Sequence, residues 1–132
     1  MKLSVFNGSP KGKKSNTKVL LDQFISGFTS CTGNEIEVFY LNNEKEHARL
    51  VKIFSKADYA IIAFPLYHDS MPAIVKSFIE KLHPLIKAPN KPKLGFLVQS
   101  GFPEAIHSRY VEKYNEKLSS RIGNEYLGTI IK

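Results

Sequence analysis

The stretch Asn7-Gly8-Ser9-Pro10-Lys11-Gly12-Lys13-Lys14-Ser15-Asn16-Thr17 sets glycines, hydroxyl and amide side chains, and lysines close together. It follows an apolar run and leads into a segment of helical periodicity. At such a junction the first N–H groups of the helix have no partner within it, and its dipole favours an anion. Ser9, Ser15, Asn16 and Thr17 add side-chain donors, Lys11 adds positive charge, and the glycines permit close backbone approach. Each hydrogen bond to a charged phosphate contributes about 1.5–3 kcal/mol, so several cover much of the roughly 8 kcal/mol of micromolar binding. The stretch reads as a phosphate cradle, with a Gly/Ser turn capping an ordinary helix as the alternative. It is not a nucleoside-triphosphate loop, because Lys14 follows Gly12-Lys13 where Ser or Thr is required, and it lacks the Gly-x-Gly-x-x-Gly fingerprint.

Other chemistry-bearing residues are sparse. The single cysteine, Cys31, cannot form an internal disulfide or hold a cluster, and it reads as structurally neutral. His47, His68, His83 and His107 lack metal-site spacing, so no metal is expected. The formal charge of +7 raises the prior for anionic partners, either nucleic acid or a phosphorylated cofactor. Nucleic acid is the weaker choice, because no aromatics interleave with the Lys11–Lys18 cluster as single-strand stacking requires. The remaining lysines are scattered over helix surfaces and read as solvated.

These residues must be held by a framework of alternating elements. Lys2 to Phe6, Glu35 to Leu41, Asp58 to Phe64, Lys93 to Ser100 and Glu125 to Ile131 are short and rich in β-branched or aromatic residues, as strands are. Ser15 to Phe28, Glu44 to Phe54, Pro72 to Ile86 and Glu104 to Ile122 repeat apolar residues at three- and four-residue spacing, as helices do. Ser15 or Asn16 suits the first helix cap, and Pro72 a first turn. Alternation of the two kinds predicts βαβ units, a parallel sheet and one α/β domain over the 132 residues. No apolar run is long enough to span a bilayer, and the opening residues turn polar at Asn7, too early for a secretory signal. A cytoplasmic protein with no membrane partner is expected.

In a doubly wound sheet, ligands bind beyond the carboxyl ends of the strands. The loops there are 7–14, 65–71 and 100–103, and all three concentrate Gly, Pro, Ser or aromatic residues. Gly8-Ser9-Pro10 with Ser15-Asn16-Thr17, and Pro65-Leu66-Tyr67 followed by Met71-Pro72-Ala73 and an amphipathic segment, form two linked signatures. By them the sequence resembles the flavodoxin-like NAD(P)H-dependent FMN reductases and their quinone, azo and nitro reductase relatives.

The resemblance implies a three-layer, flavodoxin-like fold with a five-stranded parallel sheet in the order 2-1-3-4-5. It implies that the first loop holds the phosphate of FMN, through Ser9, Lys11, Ser15, Asn16 and Thr17. It places Pro65, Leu66 and Tyr67 as wall and polar edge for the flavin ring, with His68 either touching flavin or substrate or simply exposed. Met71 and Pro72 stand either against the cofactor or as the buried start of the third helix. Ser100, Gly101 and Phe102 flank the ring or merely punctuate the chain before a helix. The implied activity is hydride transfer from NADH or NADPH to FMN and on to a small-molecule acceptor: a quinone, a nitro or azo compound, or free flavin. The alternative is an electron-transfer or sensing module without turnover. The net positive charge favours the reductase, since carriers of this fold tend to be acidic.

Two departures stand out. The cysteine cluster that some relatives carry between strands two and three is absent from 42–56. The sequence also stops at Lys132, immediately after the fifth strand, with the family's last helix missing. That predicts an apolar face over strands three to five, bearing Phe64, Phe96 and Ile130, which a homodimer would bury or whose exposure would compromise stability or activity.

Overall fold

The computed structural model describes residues 1–101 and 105–132. Five strands, β1 (Lys2–Asn7), β2 (Glu35–Tyr40), β3 (Tyr59–Pro65), β4 (Lys93–Gln99) and β5 (Tyr126–Ile131), alternate with four α-helices. The helices are α1 (Asn16–Thr29), α2 (His47–Lys56), α3 (Ala73–Lys81) and α4 (Arg109–Ile122). All strand pairs are parallel and the sheet order is β2-β1-β3-β4-β5. The two central strands beyond β1, β3 and β4, are buried on both alternating faces, which their continuous apolar sequence requires.

Three expected helices are shorter as α-helix and continue as 3-10 turns. The third ends at Lys81 and gives way to a 3-10 turn over His83–Lys87, because Pro84 has no N–H to continue the ladder. The second opens with a 3-10 turn at Glu44–Glu46, and the fourth with one at Ala105–Ser108.

The sheet separates two cores. Phe6, Ile62, Phe64, Phe96 and Val98 pack under α2, α3 and α4. At its centre Phe6 stacks against Phe39 and Phe78, both at 5.5 Å between ring centroids, with Phe54 at 5.7 Å. The opposite core is smaller: Leu3, Val5, Ile61, Ala63 and Leu97 pack under α1 through Leu21, with Leu20, Phe24, Ile25 and Phe28 around it.

This arrangement corrects the expectation about an uncovered apolar face. Phe64 and Phe96 alternate onto the side of α2, α3 and α4 and are 0% and 2% exposed. On the α1 side the large apolar side chains of β5 left open are Leu127 and Ile130, about half exposed. The expectation therefore holds for Ile130 and not for Phe64 and Phe96.

Candidate functional site: an anion cradle at the carboxyl edge of the sheet

Residue Gly8 carries the chain out of β1 and donates its N–H to the Ala63 carbonyl of β3 at 2.6 Å. A side chain here would overlap Val75 of α3 and crowd the Ala63 carbonyl, so only glycine lets the loop lie on the sheet edge. The loop then ties itself down. Asn7 Oδ1 accepts from Ser9 N–H at 2.9 Å, and Ser9 O accepts from Gly12 N–H at 2.9 Å. Gly12 adopts a left-handed φ of 54°, and a Cβ there would sit 2.7 Å from Asn42 Nδ2. Ser15 caps α1: its Oγ accepts from Lys18 N–H at 3.1 Å and donates to the Gly12 carbonyl at 2.7 Å.

The result is a cavity of about 140 Å³ lined by Ser9, Lys11, Lys14, Ser15, Asn16, Thr17, Pro65, Tyr67 and Gln99. Loop one, the end of β3 and the end of β4 thus meet at one place. Pockets that bury a whole drug-sized ligand measure roughly 300–1,000 Å³, so this one suits a compact anionic group. Two features show unspent donors. Thr17 is fully buried, yet its hydroxyl has no hydrogen-bond partner. Among the described residues no hydrogen bond occupies the N–H groups of Asn16 and Thr17, the first two of α1. An unpaired buried hydroxyl costs about 1–3 kcal/mol, which a ligand oxygen at this position would recover.

Electrostatics point the same way. Lys18 is engaged with Asp22 at 2.7 Å, a contact that raises its pKa, chiefly through that hydrogen bond. Lys13 lies over the Tyr40 ring, 5.7 Å from its centroid. Lys11 and Lys14 have no ion pair among the described residues and remain exposed beside the cavity. None of the groups with displaced pKa values, Lys18, Glu44, Lys93 and Tyr126, lines the cradle.

Of the residues expected from sequence, Ser9, Lys11, Ser15, Asn16, Thr17, Pro65 and Tyr67 come together here. Leu66 does not line the cavity: it packs against the larger core, its N–H bonded to the Gln99 carbonyl at 2.8 Å. His68 sits apart as well. It and Asp69 have φ of 47° and 59° and form the corner of a two-residue reverse turn closed by Tyr67 and Ser70, and both are exposed. Met71 is 4% exposed in the core, and Pro72 caps α3 from outside its first turn. Ser100 donates its N–H to the Lys132 carbonyl at 2.6 Å, Gly101 is exposed, and Phe102 lies outside the described residues.

Sequence reading missed Lys14 and Gln99. Lys14 was one of several lysines in the loop, and the turn at Gly12 decides which of them face the cavity. Gln99 ends β4 opposite Pro65 in register, a pairing that only the sheet reveals. The buried His47 was missed too. Its Nε2 is 2.8 Å from the Leu41 carbonyl, bracing the chain just before Asn42, the residue that packs on Gly12.

A doubly wound parallel sheet in the order β2-β1-β3-β4-β5, with a donor-lined cavity after its first strand, defines the fold class. The chain belongs to the flavodoxin-like fold family, whose model matches residues 1–84. No curated protein matches it at a significant level. Among solved structures it is similar to an NADPH-quinone reductase from P. pentosaceus, at 20% identity and TM-score 0.67, covering 99% of this chain and 84% of that one. It is also similar to the apo form of an NADH:FMN oxidoreductase, at 16% identity and TM-score 0.79, covering 98% and 74%. A third is general stress protein 14 from Treponema denticola in complex with FMN, at 15% identity and TM-score 0.75, covering 99% and 85%.

Proposed function

We propose that this chain is an FMN-dependent oxidoreductase that takes hydride from NADH or NADPH and passes it to a small-molecule acceptor such as a quinone, a nitro or azo compound, or free flavin. The observation that carries the reading is the cradle itself, with the unpartnered Thr17 hydroxyl and the open N–H groups of Asn16 and Thr17 beside Lys11 and Lys14. These donors fit the phosphate of FMN. Similarity to an FMN complex, an NADH:FMN oxidoreductase and an NADPH-quinone reductase supports it.

When bound, the flavin supplies the hydride chemistry, so the protein has to bind, orient and shield it. Asn16 and Thr17 hold the phosphate by N–H and hydroxyl donation, while Ser15 keeps the helix start in place. Lys11 and Lys14 offset the phosphate charge from the solvent side. Pro65 and Tyr67 give an apolar flank next to the cradle, and the Tyr67–Ser70 turn fixes the direction in which Tyr67 leaves β3.

Adding FMN to the purified chain tests this reading. Quenching of flavin fluorescence, followed by NADH or NADPH oxidation that accelerates with a soluble quinone, is the expected result. Flavin uptake without oxidation of either nicotinamide would instead indicate an electron-transfer or sensing module. No uptake of FMN would overturn both.

A further inference from the structure

Helix α4 has two unlike faces. Val111, Asn115, Ser119 and Ile122 are buried against the sheet. On the outward side Tyr110 and Tyr114 are 75% and 48% exposed, and Ile106, in the 3-10 turn just before the helix, is 62% exposed. Interleaved with them are Arg109, Lys113, Lys117 and Arg121, all exposed and none in an ion pair among the described residues.

The side chains form a repeat. Ile106, Arg109, Tyr110 and Lys113 line one shallow cleft of about 150 Å³, and Tyr114, Lys117, Leu118 and Arg121 line a second of about 140 Å³. The second set is the first shifted by eight residues, about 2.2 helical turns, so it lies about 12 Å along the axis and roughly 80° further round it. Each cleft offers a pair of cations beside apolar side chains, and Glu112 and Glu116 line neither.

We propose that the outer face of α4, with Ile106 of the turn before it, docks the protein peripherally on an anionic lipid surface. Each cleft takes one anionic headgroup between its two cations, while the exposed Ile106, Tyr110 and Tyr114 rest at the boundary with the acyl chains. Lysine and arginine stems lie along the apolar side chains and keep their charges among the headgroups. The exposed aliphatic Ile106 favours lipid, while Tyr110 and Tyr114 are faces on which a base could also stack, and the oligonucleotide arm of the test separates the two. Taken singly from the sequence, these cations are a solvated helix surface with no membrane partner expected. Folding brings them together with the tyrosines on the outward face of α4. No helix here is long and apolar enough to cross a membrane among the described residues, and docking of this kind needs none.

The test uses the full chain and vesicles of phosphatidylcholine with or without about 30% phosphatidylserine. Sedimentation with the serine-containing vesicles alone, weakened by salt, is the expected result. Lys113→Gln and Lys117→Gln each lower the partition about fivefold. Ile106→Ser and Tyr110→Ser lower it on the same vesicles, and all four variants keep the parent melting temperature because the residues are exposed. Absence of serine-dependent sedimentation, equal partition of the charge variants, or binding of a single-stranded oligonucleotide at concentrations where vesicles are not bound would each overturn the proposal.

Discussion

The Ser15 hydroxyl donates to the Gly12 carbonyl at 2.7 Å and at the same time accepts from Lys18 N–H at 3.1 Å. One side chain therefore closes the cradle loop and caps α1. Both jobs consume hydroxyl capacity, so Ser15 acts on a ligand chiefly by keeping the helix start formed. Ser15→Ala is expected to cost about 1 kcal/mol of stability, the usual value of an N-cap. A melting temperature lower by about 3–5 °C, read by circular dichroism, would show it. FMN and riboflavin binding should both weaken modestly. An unchanged melting temperature would remove Ser15 from this role.

Thr17 is the opposite case, since its buried hydroxyl has no protein partner. Thr17→Val keeps the shape and deletes the donor. FMN affinity should fall about tenfold or more, the worth of a hydrogen bond to a charged group. Riboflavin, which lacks the phosphate, should bind as before. Stability should hold or rise, because an unsatisfied buried hydroxyl is lost. Fluorescence titration with both flavins checks this, and equal losses for the two would dismiss a phosphate contact.

Lys11 and Lys14 border the cavity without ion pairs among the described residues. Both are exposed, so each contributes through water and is screened by salt. Replacing both by Gln should weaken FMN binding by about tenfold at low ionic strength, a gap that narrows as salt is added. Parallel binding curves for parent and variant across a salt series would count against any electrostatic part for the pair.

Glu44 follows β2 and reaches across to α3, where Ser77 Oγ and Lys81 Nζ donate to it at 2.5 Å and 3.0 Å. The Ser77 hydrogen bond, then the Lys81 hydrogen bond and charge, hold the Glu44 carboxyl below its ordinary range. A depressed folded pKa stabilises the fold above the unfolded pKa, and that contribution disappears as pH falls through the folded value. Ser77→Ala and Lys81→Gln should each shift the Glu44 titration upward in carboxyl-carbon NMR. The stability difference from the parent should be present at neutral pH and vanish in acid. A titration that does not move would show that these contacts do not persist in solution.

Much of this protein is written in local pattern. Strand and helix periods gave all five strands and four helices, because a buried face forces apolar residues to recur at two or at three to four positions. That the donors of the first loop gather at one cavity was legible for a related reason: those at a helix start are a local property, set by Ser15, Asn16 and Thr17 themselves. Long-range partners were not. That Leu66 turns to the core while Gln99 joins the cradle follows from the pairing of Pro65 with Gln99 across β3 and β4. That Phe64 and Phe96 lie under α2, α3 and α4 follows from which face each strand's alternation meets once the sheet is assembled. His68 lies at the corner of a turn because residues 67 and 70 pair with each other. The sequence by itself determined the elements and the cradle's chemistry, both of which depend on neighbours within a turn or two of chain. Tertiary structure decided which donors stay unspent and which side chains share a cavity or a face, because those depend on contacts between segments far apart in sequence.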